Sequence, residues 1–422
     1  MNRWSRRQVL RCAASVALPS LIPSAVLGAD GKPGANERVG IGAIGVGNRA
    51  TLLLDQLPKD GQIVALADCN LPRAEAFKAK RKGNWPLYQQ YRQLLERKDV
   101  EAVVIATQEF QRVLPSIHAC QAGKDVYAEK PLTLYVREGR ALVDTARKHG
   151  RVFQVGSQQR SMTLNRIACE LVRTGGLGKI VEVLAPCYPG AGESPKDVGP
   201  AEPVPPGLDW DAWLNQAAWR PFNGRWGGGG RDFAGGEMTN WGAHGVDQIQ
   251  WGLGADGTGP VEIWPETPGP NGKVQMLYAN GTPVRFVLDH GPWGGAIFVC
   301  EKGKLEVNRN KFTSNPKDIA IELLKKVDEA EEERKWSDQT ALWQAQWHLQ
   351  NWIDCIRTRQ KPAADVEIGH RSIAVCHLAN IARWVGRRLK WDPVKETFLG
   401  DDEANRFVDR PRRKGYELPG AV

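Results

Sequence analysis

A glycine-rich turn directly after an apolar run constrains the fold of this chain more than any other feature. Residues 39–44 are apolar with β-branched members, as in a buried strand, and Gly45-x-Gly47-x-x-Ala50 follows and opens a helical stretch. In a G-x-G-x-x-G/A turn the glycines permit a tight bend and let the backbone approach a pyrophosphate, while the helix N-terminus presents amide donors. The turn predicts a dinucleotide-binding domain. Its expected cofactor contacts are Gly45, Gly47, Asn48 and Arg49.

An acidic residue at the end of the next apolar run indicates which dinucleotide binds. Asp68 follows the strand-like segment 63–67, roughly 20 residues after the glycine turn, as in the dinucleotide-binding fingerprint. An acid there accepts hydrogen bonds from both hydroxyls of an adenine ribose, which favours NAD. Arg49 or Arg73 could still hold the 2′-phosphate of NADP, so NADP stays open as the alternative cofactor.

Strand and helix signals then alternate along the first part of the chain. Further apolar, strand-like runs lie at 100–107, 125–129 and 152–155. Such alternation predicts a parallel sheet with helices on both faces, and ligands of these sheets lie at the carboxyl ends of the strands. We therefore assign residues 36–158 to a Rossmann domain and expect Thr107 and Glu129, which end two strands, to contact the cofactor.

The first 29 residues predict an export signal. The paired arginine of Ser5-Arg6-Arg7 precedes an apolar stretch over residues 12–29 that ends in small residues. This pattern resembles the twin-arginine signal, whose route carries folded proteins, so that a cofactor loaded in the cytoplasm is carried across. We expect residues 1–29 to be removed and the protein to lie in the periplasm or otherwise outside the cytoplasm. A disordered basic N-terminus is the alternative.

Charge, hydropathy and cysteines exclude several classes of partner. Removal of the signal takes four arginines and no acid, which lowers the formal net charge from +9 to +5. This modest charge, without a Lys/Arg block, argues against nucleic acid. No apolar run beyond the signal is long enough to span a membrane. The seven remaining cysteines have no C-x-x-C spacing, and the histidines are scattered, so we expect neither a disulfide framework nor a metal site.

Two further motifs resemble those of one family. Glu129-Lys130-Pro131 stands at the carboxyl end of a strand, and residues 235–247 read Gly-Gly-Glu-Met-Thr-Asn-Trp-Gly-Ala-His-Gly-Val-Asp. With the glycine turn, these motifs resemble the Gfo/Idh/MocA family of NAD(P)-dependent sugar and polyol oxidoreductases, and the resemblance covers essentially the whole mature chain. Residues 366–372 and the export signal resemble a secreted, twin-arginine subgroup of that family.

The resemblance implies a second α/β domain built on a large open, mostly antiparallel sheet. Strand-like segments that fit it lie at 261–265, 273–279, 283–289, 296–301 and 304–308. We assign residues 159–392 to this substrate and oligomerisation domain, and residues 393–422 to a C-terminal tail. Because an open sheet face is normally covered by a partner subunit, we expect a homo-oligomer, either a dimer or a tetramer.

The resemblance also implies the chemistry of the site. It puts Lys130 beside the nicotinamide and the substrate hydroxyl, where a partly desolvated lysine stabilises a developing alkoxide and shuttles protons. His244 matches the family's histidine base. Asn240, His244 and Asp247 are spaced to share one helix face. The expected catalytic residues are Lys130, His244 and Asn240, and the expected substrate contacts are Lys130, His244, Trp241 and Asp247.

The chain departs from the family pattern at two positions. Asn240 stands where many members carry an aspartate that pairs with the base, and an amide cannot ionise. Glu237 is near enough in sequence to supply a carboxylate instead. Arg112 stands where the family often has a histidine, in the loop after the third strand. It either contacts a cofactor phosphate or indicates an acidic or larger substrate.

Tryptophans are concentrated around the second motif. Of the 16 tryptophans, six lie between residues 210 and 251. Flat aromatic rings stack on the C–H faces of sugars, which indicates a carbohydrate site. Packing in the core or at an interface is the alternative for each ring, Trp241 included.

Three functions follow from these features. The first is an exported oxidoreductase that transfers hydride between NAD or NADP and a hydroxyl of a small-molecule sugar, glycoside or polyol. The second is a glycosidase or lyase of the same fold, in which tightly held NAD oxidises a sugar carbon transiently and permits elimination. The third is a non-catalytic carbohydrate-binding protein, for which Asn240 is the main argument.

Overall fold

Parallel strands with short crossover helices form the N-terminal domain. The structure is a computed structural model that describes residues 37–196, 198–228, 230–325 and 344–419, so the predicted export signal lies outside the described residues. The first sheet contains β1 (Val39–Ile44), β2 (Gly61–Ala67), β3 (Leu87–Tyr88), β4 (Ala102–Ile105), β5 (Asp125–Ala128) and β6 (Phe153–Val155). All its pairings are parallel and the strand order is β3-β2-β1-β4-β5-β6. This order is that of a Rossmann sheet, so the prediction is confirmed.

Helices cover both faces of this sheet because its strands are apolar on both sides. They are α1 (Asn48–Asp55), α2 (Leu71–Lys80), α3 (Tyr91–Leu95), α4 (Val113–Gln121) and α5 (Val136–Lys148). All six residues of β1 are buried, and two separate apolar clusters lie on the two faces of the sheet. With both faces covered, the edge of the sheet that is open to a ligand is the one at the carboxyl ends of the strands, where the loops to the helices begin.

A second, larger sheet forms the remainder of the fold. Its strands are β7 (Ile180–Pro186), β8 (Glu262–Pro265), β9 (Val274–Leu277), β10 (Pro283–Leu288), β11 (Ala296–Cys300), β12 (Gly303–Asn308), β13 (Lys311–Asn315), β14 (Leu389–Asp392) and β15 (Thr397–Phe398). They form one nine-stranded sheet in the order β13-β12-β11-β7-β10-β9-β8-β14-β15, in which only β7 and β10 pair in parallel. The predicted, mostly antiparallel sheet is confirmed.

Helices cover one face of the second sheet. The remaining helices are α6 (Thr163–Arg173), α7 (Trp210–Leu214), α8 (Glu237–Gly252), α9 (Asp318–Leu324), α10 (Gln346–Thr358), α11 (Val366–Val385) and α12 (Asp402–Asn405). Buried and half-buried residues alternate along β11, so that Phe298 faces the helical layer and Ile297 and Val299 face away from it. Leu184, the neighbour of Ile297 on β7, is also half-buried. One face of the sheet thus carries apolar side chains that no helix covers among the described residues.

The two domains are joined by more than one crossing of the chain. Helix α10 follows the second sheet in sequence but packs on the first domain, where Trp352 is fully buried against Tyr127 with ring centroids 5.7 Å apart. The amide of Val155 in β6 donates to the Ala364 carbonyl at 2.8 Å. The continuous part of the Rossmann domain ends near the expected residue 158. Residues 345–366 return to it later in the sequence and complete its core.

The expected C-terminal tail is part of the folded domains. Phe398 is buried in the core of the second domain, with its ring centroid 4.8 Å from that of Trp391. Arg410 donates to a Glu138 carboxylate oxygen at 2.8 Å and to the Phe110 carbonyl at 3.0 Å. The segment after residue 392 therefore fastens the second domain to the first.

Candidate functional site

The first cavity lies at the carboxyl ends of β1, β2 and β4 and has a volume of about 330 Å³. Gly45, Gly47, Asn48, Asp68 and Thr107 all line it. Gly45 has φ +78°, and a Cβ there would lie 2.8 Å from Thr107 Cγ2, so the turn requires glycine. Gly47 precedes α1 with an ordinary φ, and a Cβ there would meet no atom within 4 Å. The backbone at Gly47 therefore borders open space at the N-terminus of α1.

The carboxylate of Asp68 is held by backbone amides. Its Oδ2 accepts from Val46 N–H at 3.0 Å and its Oδ1 from Asn70 N–H at 2.9 Å. Arg73 is half-exposed, and its guanidinium lies 3.7 Å from Asp68. Both an acid for a ribose and a cation for a 2′-phosphate are therefore present at this end of the cavity.

These residues fit a dinucleotide. No side chain caps the first turn of α1, so its amide donors face the cavity, as a pyrophosphate requires. The Asp68 carboxylate is fixed at the end of β2, where ribose hydroxyls are bound in this fold. The glycine turn, Asp68 and Thr107, all expected to contact the cofactor, come together in this cavity.

A second cavity of about 390 Å³ adjoins the first, since Ala106 and Thr107 line both. Its other lining residues are Arg49, Arg112, Glu129, Lys130, Gln158, Asn240, Trp241, His244 and Arg309. They come from both domains, with α8 and the turn between β12 and β13 supplying the side that faces the Rossmann sheet.

Lys130 lies between the two domains in this second cavity. Its Nζ donates to Asn240 Oδ1 at 2.7 Å and to the Asn240 carbonyl at 3.2 Å. Burial, reinforced by nearby arginines and opposed by Glu129, lowers the pKa of Lys130 to about 8. The ammonium is therefore poised to lose a proton near neutral pH.

Asn240 and His244 stand on the face of α8 that borders the cavity. The amide of Asn240 donates from Nδ2 to the Glu237 carboxylate at 3.1 and 3.3 Å. Burial first, and then the charges of Lys130 and Arg309, hold the pKa of His244 well below its usual range. The imidazole is therefore neutral at physiological pH. Its ring lies 5.7 Å from that of Trp241, centroid to centroid.

Asp247 does not line the cavity, although it was expected to contact substrate. Its carboxylate accepts from Arg160 Nε at 2.9 Å and from Ser372 Oγ at 2.8 Å, and all three residues are buried. Asp247 lies one turn beyond His244 on α8, where Arg160 and Ser372 of α11 engage its carboxylate away from the cavity. It fastens α8 to neighbouring elements.

Arg49 and Glu129 belong to the second cavity rather than to the cofactor cavity. Arg49 Nε donates to Glu129 Oε1 at 2.8 Å, and the amide of Lys130 donates to Glu129 Oε2 at 3.1 Å. The guanidinium of Arg49 therefore points toward Glu129 and away from Asp68. Of the two arginines considered for a 2′-phosphate, Arg73 is the one beside Asp68.

The loop after β4 is fixed by Arg112. Its guanidinium donates from Nη1 to the Pro131 carbonyl at 2.5 Å and from Nη2 to the Thr107 carbonyl. The neighbouring Glu109 accepts from Gly235 N–H and Thr239 Oγ1, and burial raises the pKa of its carboxyl to about 7. Arg112 joins the loop to the Lys130 segment and lines the second cavity.

Three of the six clustered tryptophans, Trp210, Trp213 and Trp226, belong to one apolar cluster, and Trp251 lies in the core of the second domain. Trp210 and Trp213 stack with ring centroids 4.5 Å apart, and Trp213 also contacts Phe110 and Phe233. Trp213 lines the cofactor cavity and Trp241 lines the second cavity. The concentration of rings is therefore mainly a packing cluster.

Sequence reasoning missed Gln158 and Arg309. Gln158 follows the last strand of the first sheet, and Arg309 stands in the turn between two strands of the second. In the better-satisfied orientation of its amide, the Gln158 oxygen accepts from Arg49 at 2.7 Å and from Arg309 at 3.1 Å. No local motif marks either residue, since only the packing of the two domains brings them together.

No described helix has the length and apolarity needed to cross a membrane. Within residues 37–196, 198–228, 230–325 and 344–419, no three His, Cys, Asp or Glu side chains form a group that could hold a metal ion. The seven cysteines of this part of the chain are unpaired.

Curated relatives match only parts of this chain. A 2,7-anhydro-N-acetylneuraminate hydratase of Mediterraneibacter gnavus is 34% identical over 21% of this chain and 24% of its own length. An inositol 2-dehydrogenase of Agrobacterium fabrum is 37% identical over 29% of this chain and 36% of its own length. The chain thus spans about a quarter to about a third of the length of these relatives.

A solved structure resembles nearly the whole fold. The WlbA dehydrogenase of Bordetella pertussis, in complex with NADH and UDP-GlcNAcA, superposes with a TM-score of 0.60, and the match covers 84% of this chain and 99% of that one. At 17% identity, this likeness shows the fold alone.

Family models account for both domains. The model described as an oxidoreductase family, NAD-binding Rossmann fold, matches residues 39–157. The model described as an oxidoreductase family, C-terminal alpha/beta domain, matches residues 194–418, more than half of the chain. The chain therefore belongs to the Gfo/Idh/MocA oxidoreductase family, with its NAD(P)-binding Rossmann domain and its C-terminal α/β domain.

Proposed function

We propose that this protein is an NAD(P)-dependent oxidoreductase that acts on a hydroxyl group of a sugar, glycoside or polyol. One observation carries the proposal. The glycine-turn cavity and the cavity lined by Lys130 adjoin, since Ala106 and Thr107 line both. A cofactor in the first cavity and a substrate in the second would therefore meet beside a partly desolvated lysine.

The first cavity supplies the cofactor contacts. The backbone of Gly45 and Gly47 and the first turn of α1 would hold the pyrophosphate, and Asp68 would accept from the adenine ribose. Bound NAD(P) supplies a two-electron hydride acceptor or donor. Arg73 keeps both NAD and NADP compatible with the site, because it lies 3.7 Å from Asp68 and is half-exposed.

Lys130 handles the proton of the substrate hydroxyl in this proposal. With its pKa lowered to about 8 by burial, a minor fraction of Lys130 is neutral near physiological pH, and that form can accept the proton. The hydrogen bond from Nζ to Asn240 Oδ1, 2.7 Å long, fixes the direction of the ammonium. Asn240 therefore acts as a positioning residue for Lys130, a role that requires no ionisable group.

His244 complements Lys130 as a neutral partner. Its ring borders the cavity, and burial keeps its pKa well below the usual range, so the imidazole is a hydrogen-bond acceptor or donor rather than a cation. A neutral imidazole orients a substrate hydroxyl without adding charge. Trp241 beside it offers a flat apolar surface for the C–H face of a carbohydrate ring.

Relatives support a carbohydrate or polyol substrate. The inositol 2-dehydrogenase matched here acts, by its name, on a cyclic polyol. The hydratase relative suggests the second candidate function, elimination or addition of a substituent after transient oxidation of a sugar carbon. Lys130 lines the same cavity and, with a pKa lowered to about 8, could accept the proton that an elimination removes from carbon.

The decisive experiment begins with the nucleotide. The purified protein is denatured, any released nucleotide is identified by mass, and NAD(H) and NADP(H) binding are measured on the protein. Turnover is then followed by the ultraviolet absorbance of NADH with a panel of sugars and polyols. Net formation or consumption of NADH supports the oxidoreductase, and conversion of a sugar without net NADH supports the second candidate.

Two results would reject both enzymatic candidates. One is the lack of any nucleotide binding. The other is carbohydrate binding without turnover that is unchanged in Lys130→Met, which would support the non-catalytic alternative.

We also propose that the protein is exported through the twin-arginine route and belongs to the secreted subgroup of its family. The support is the Ser5-Arg6-Arg7 sequence before an apolar stretch. The test is cell fractionation of the full chain and of the double variant Arg6→Lys, Arg7→Lys. The native chain is expected outside the cytoplasm with residues 1–29 removed, and the variant is expected to stay inside.

We propose a homo-oligomer, either a dimer or a tetramer, for the same chain. Its support is the uncovered sheet face that carries Leu184, Ile297 and Val299, all half-buried in a single chain. Light scattering after size exclusion should report a multiple of the monomer mass, and Ile297→Asp should lower it. A monomeric native protein would reject this part of the proposal.

A further inference from the structure

A segment of the second domain, residues 207–217, crosses the carboxyl end of the Rossmann sheet. This bridging segment is attached to the first domain at two points. The amide of Asp209 donates to the Cys69 carbonyl, just after β2, at 2.8 Å. Gln111 Nε2, in the loop after β4, donates to the Trp213 carbonyl at 2.5 Å. The bridging segment therefore spans the edge at which the cofactor cavity lies.

Asn215 brings a side-chain amide to the cofactor cavity from the bridging segment. It lines the cavity together with Ala212 and Trp213. Only 4% of its surface is exposed, so that its polar atoms need partners within the fold or from a ligand.

The backbone conformation of Asn215 is one that favours glycine. Its φ of +50° and ψ of −120° are those of the first central residue of a type II′ turn. The amide of Ala217 donates to the Leu214 carbonyl at 2.9 Å and closes this turn. A Cβ is crowded at that position, and glycine is the preferred residue there. Strain of this kind is concentrated at sites that bind ligands.

Three of the four polar atoms of Asn215 are used within the fold. Its backbone amide donates to the Asp211 carbonyl at 3.1 Å. Its carbonyl accepts from Arg413 Nη2 at 2.7 Å and Nε at 3.1 Å, and its Oδ1 accepts from the Gln216 amide at 2.9 Å. Nδ2 donates to no residue that the structure describes. It is therefore the atom of Asn215 that is left for a ligand.

The contacts within the fold do not explain why an asparagine stands here. Glycine would form the same turn without strain. Arg413 binds the backbone carbonyl, which any residue would supply, and the Oδ1 contact joins two neighbouring residues only.

We infer that the side-chain amide of Asn215 donates a hydrogen bond to the dinucleotide bound in the first cavity, so that the second domain supplies a cofactor ligand of its own. This inference rests on the proposed function, since it concerns the cofactor of the same site. It adds a contact that the glycine turn and Asp68, both on the Rossmann domain, do not supply.

Calorimetry with NAD, on protein freed of any bound nucleotide, tests the inference with two variants. Asn215→Gly removes the side chain together with the backbone strain. Asn215→Asp keeps an oxygen for the Gln216 amide but replaces the donor by a charged acceptor. The matched control is Asn310→Gly, because Asn310 also has φ +50° and lines neither cavity.

We expect Asn215→Gly to weaken NAD binding by about threefold to thirtyfold. The melting temperature of the nucleotide-free variant should stay the same or rise, because glycine adopts the turn more easily. Asn215→Asp should weaken binding further, since a carboxylate cannot donate and repels the cofactor phosphates. Asn310→Gly should bind NAD as the native protein does.

Native NAD affinity in Asn215→Gly would overturn the inference. An equal loss of affinity in Asn310→Gly would do so as well, because the loss would then follow from a change of backbone and not of a ligand. If Asn215→Gly proves less stable than the native protein, Asn215→Asp decides, and native affinity in that variant rejects the inference.

The result is separable from the proposed function. Hydride transfer by the native protein, with NAD binding unchanged in both Asn215 variants, would uphold the oxidoreductase and reject the Asn215 contact. NAD binding that is weakened in both variants, without hydride transfer to or from any carbohydrate, would do the opposite. A native protein that binds no nucleotide would reject both.

Discussion

The two adjoining cavities differ in what builds them, although they share Ala106 and Thr107. The cofactor cavity is formed largely by backbone at a glycine turn and by neutral polar side chains, with Asp68 and Arg73 at one end. The second cavity is formed by charged side chains drawn from both domains. Both domains border each cavity, because Ala212, Trp213 and Asn215 of the second domain line the first, but charged side chains are concentrated in the second. A substitution that touches only one of them should therefore leave the other intact.

The strongest test of this separation is Lys130→Met. Loss of the proton acceptor should lower kcat/KM by about 10²- to 10⁴-fold, while the dissociation constant of the cofactor changes little. Lys130→Arg is the control, because it keeps a cation but cannot lose a proton near neutral pH. An equal loss of cofactor binding and turnover would show that the two cavities act as one.

The pH dependence sharpens the same contrast. Because burial lowers the pKa of Lys130 to about 8, the neutral, proton-accepting form grows as pH rises toward that value. In the oxidation direction kcat/KM should rise about tenfold per pH unit below roughly 8 and then level off. Cofactor binding should be flat over this range. A rate independent of pH from 6 to 9 would argue against Lys130 as the base.

A glycine substitution isolates the first cavity. Gly47→Ala adds a Cβ that meets no protein atom within 4 Å, so the free energy of unfolding of the cofactor-free protein should change by less than about 1 kcal/mol. Cofactor affinity should fall about tenfold or more, since the methyl group occupies the space of a hydrogen-bonded phosphate.

Gly45→Ala is the matched comparison for Gly47→Ala. Its Cβ would lie 2.8 Å from Thr107 at φ +78°, so it should lower stability as well as affinity. Normal NAD binding by Gly47→Ala would mean that the open space before α1 is not the pyrophosphate site.

The smallest expected effect is in the choice between cofactors. Asp68→Asn keeps one acceptor oxygen for the backbone amides of Val46 and Asn70 but removes the charge beside Arg73. NAD affinity should fall by roughly threefold to tenfold and NADP affinity should rise relative to it. Dissociation constants for both nucleotides measure this shift, and an unchanged ratio would mean that Asp68 does not determine the choice.

The contrast also explains what the sequence could predict. Sequence patterns predict the Rossmann domain, the glycine turn, Asp68 and Lys130, because each depends on a local pattern or on one short motif. The spacing of Asn240 and His244 in one motif likewise predicts that they share a helix face. Each of these signals lies within a few residues of the chain.

Other site residues depend on how distant segments pack. Nothing local distinguishes Arg309 in a β-turn from any exposed arginine. Arg49 pairs with Glu129, which lies 80 positions away in the sequence. Asp247 pairs with Arg160, which lies 87 positions away. No local pattern shows that Arg49 points to Glu129 or that Arg160 engages the Asp247 carboxylate.

The return of α10 to the first domain has a consequence for biosynthesis. Trp352 and its neighbours fill a core that also contains β1 residues, yet the ribosome makes them only after the entire strand set from β7 to β13. The N-terminal half of the nascent chain therefore emerges with part of its apolar core exposed. This core is completed only when α10 has been synthesised, near the end of the chain. The dinucleotide domain is not a portable module: excised at residue 158, it would lose part of its own interior.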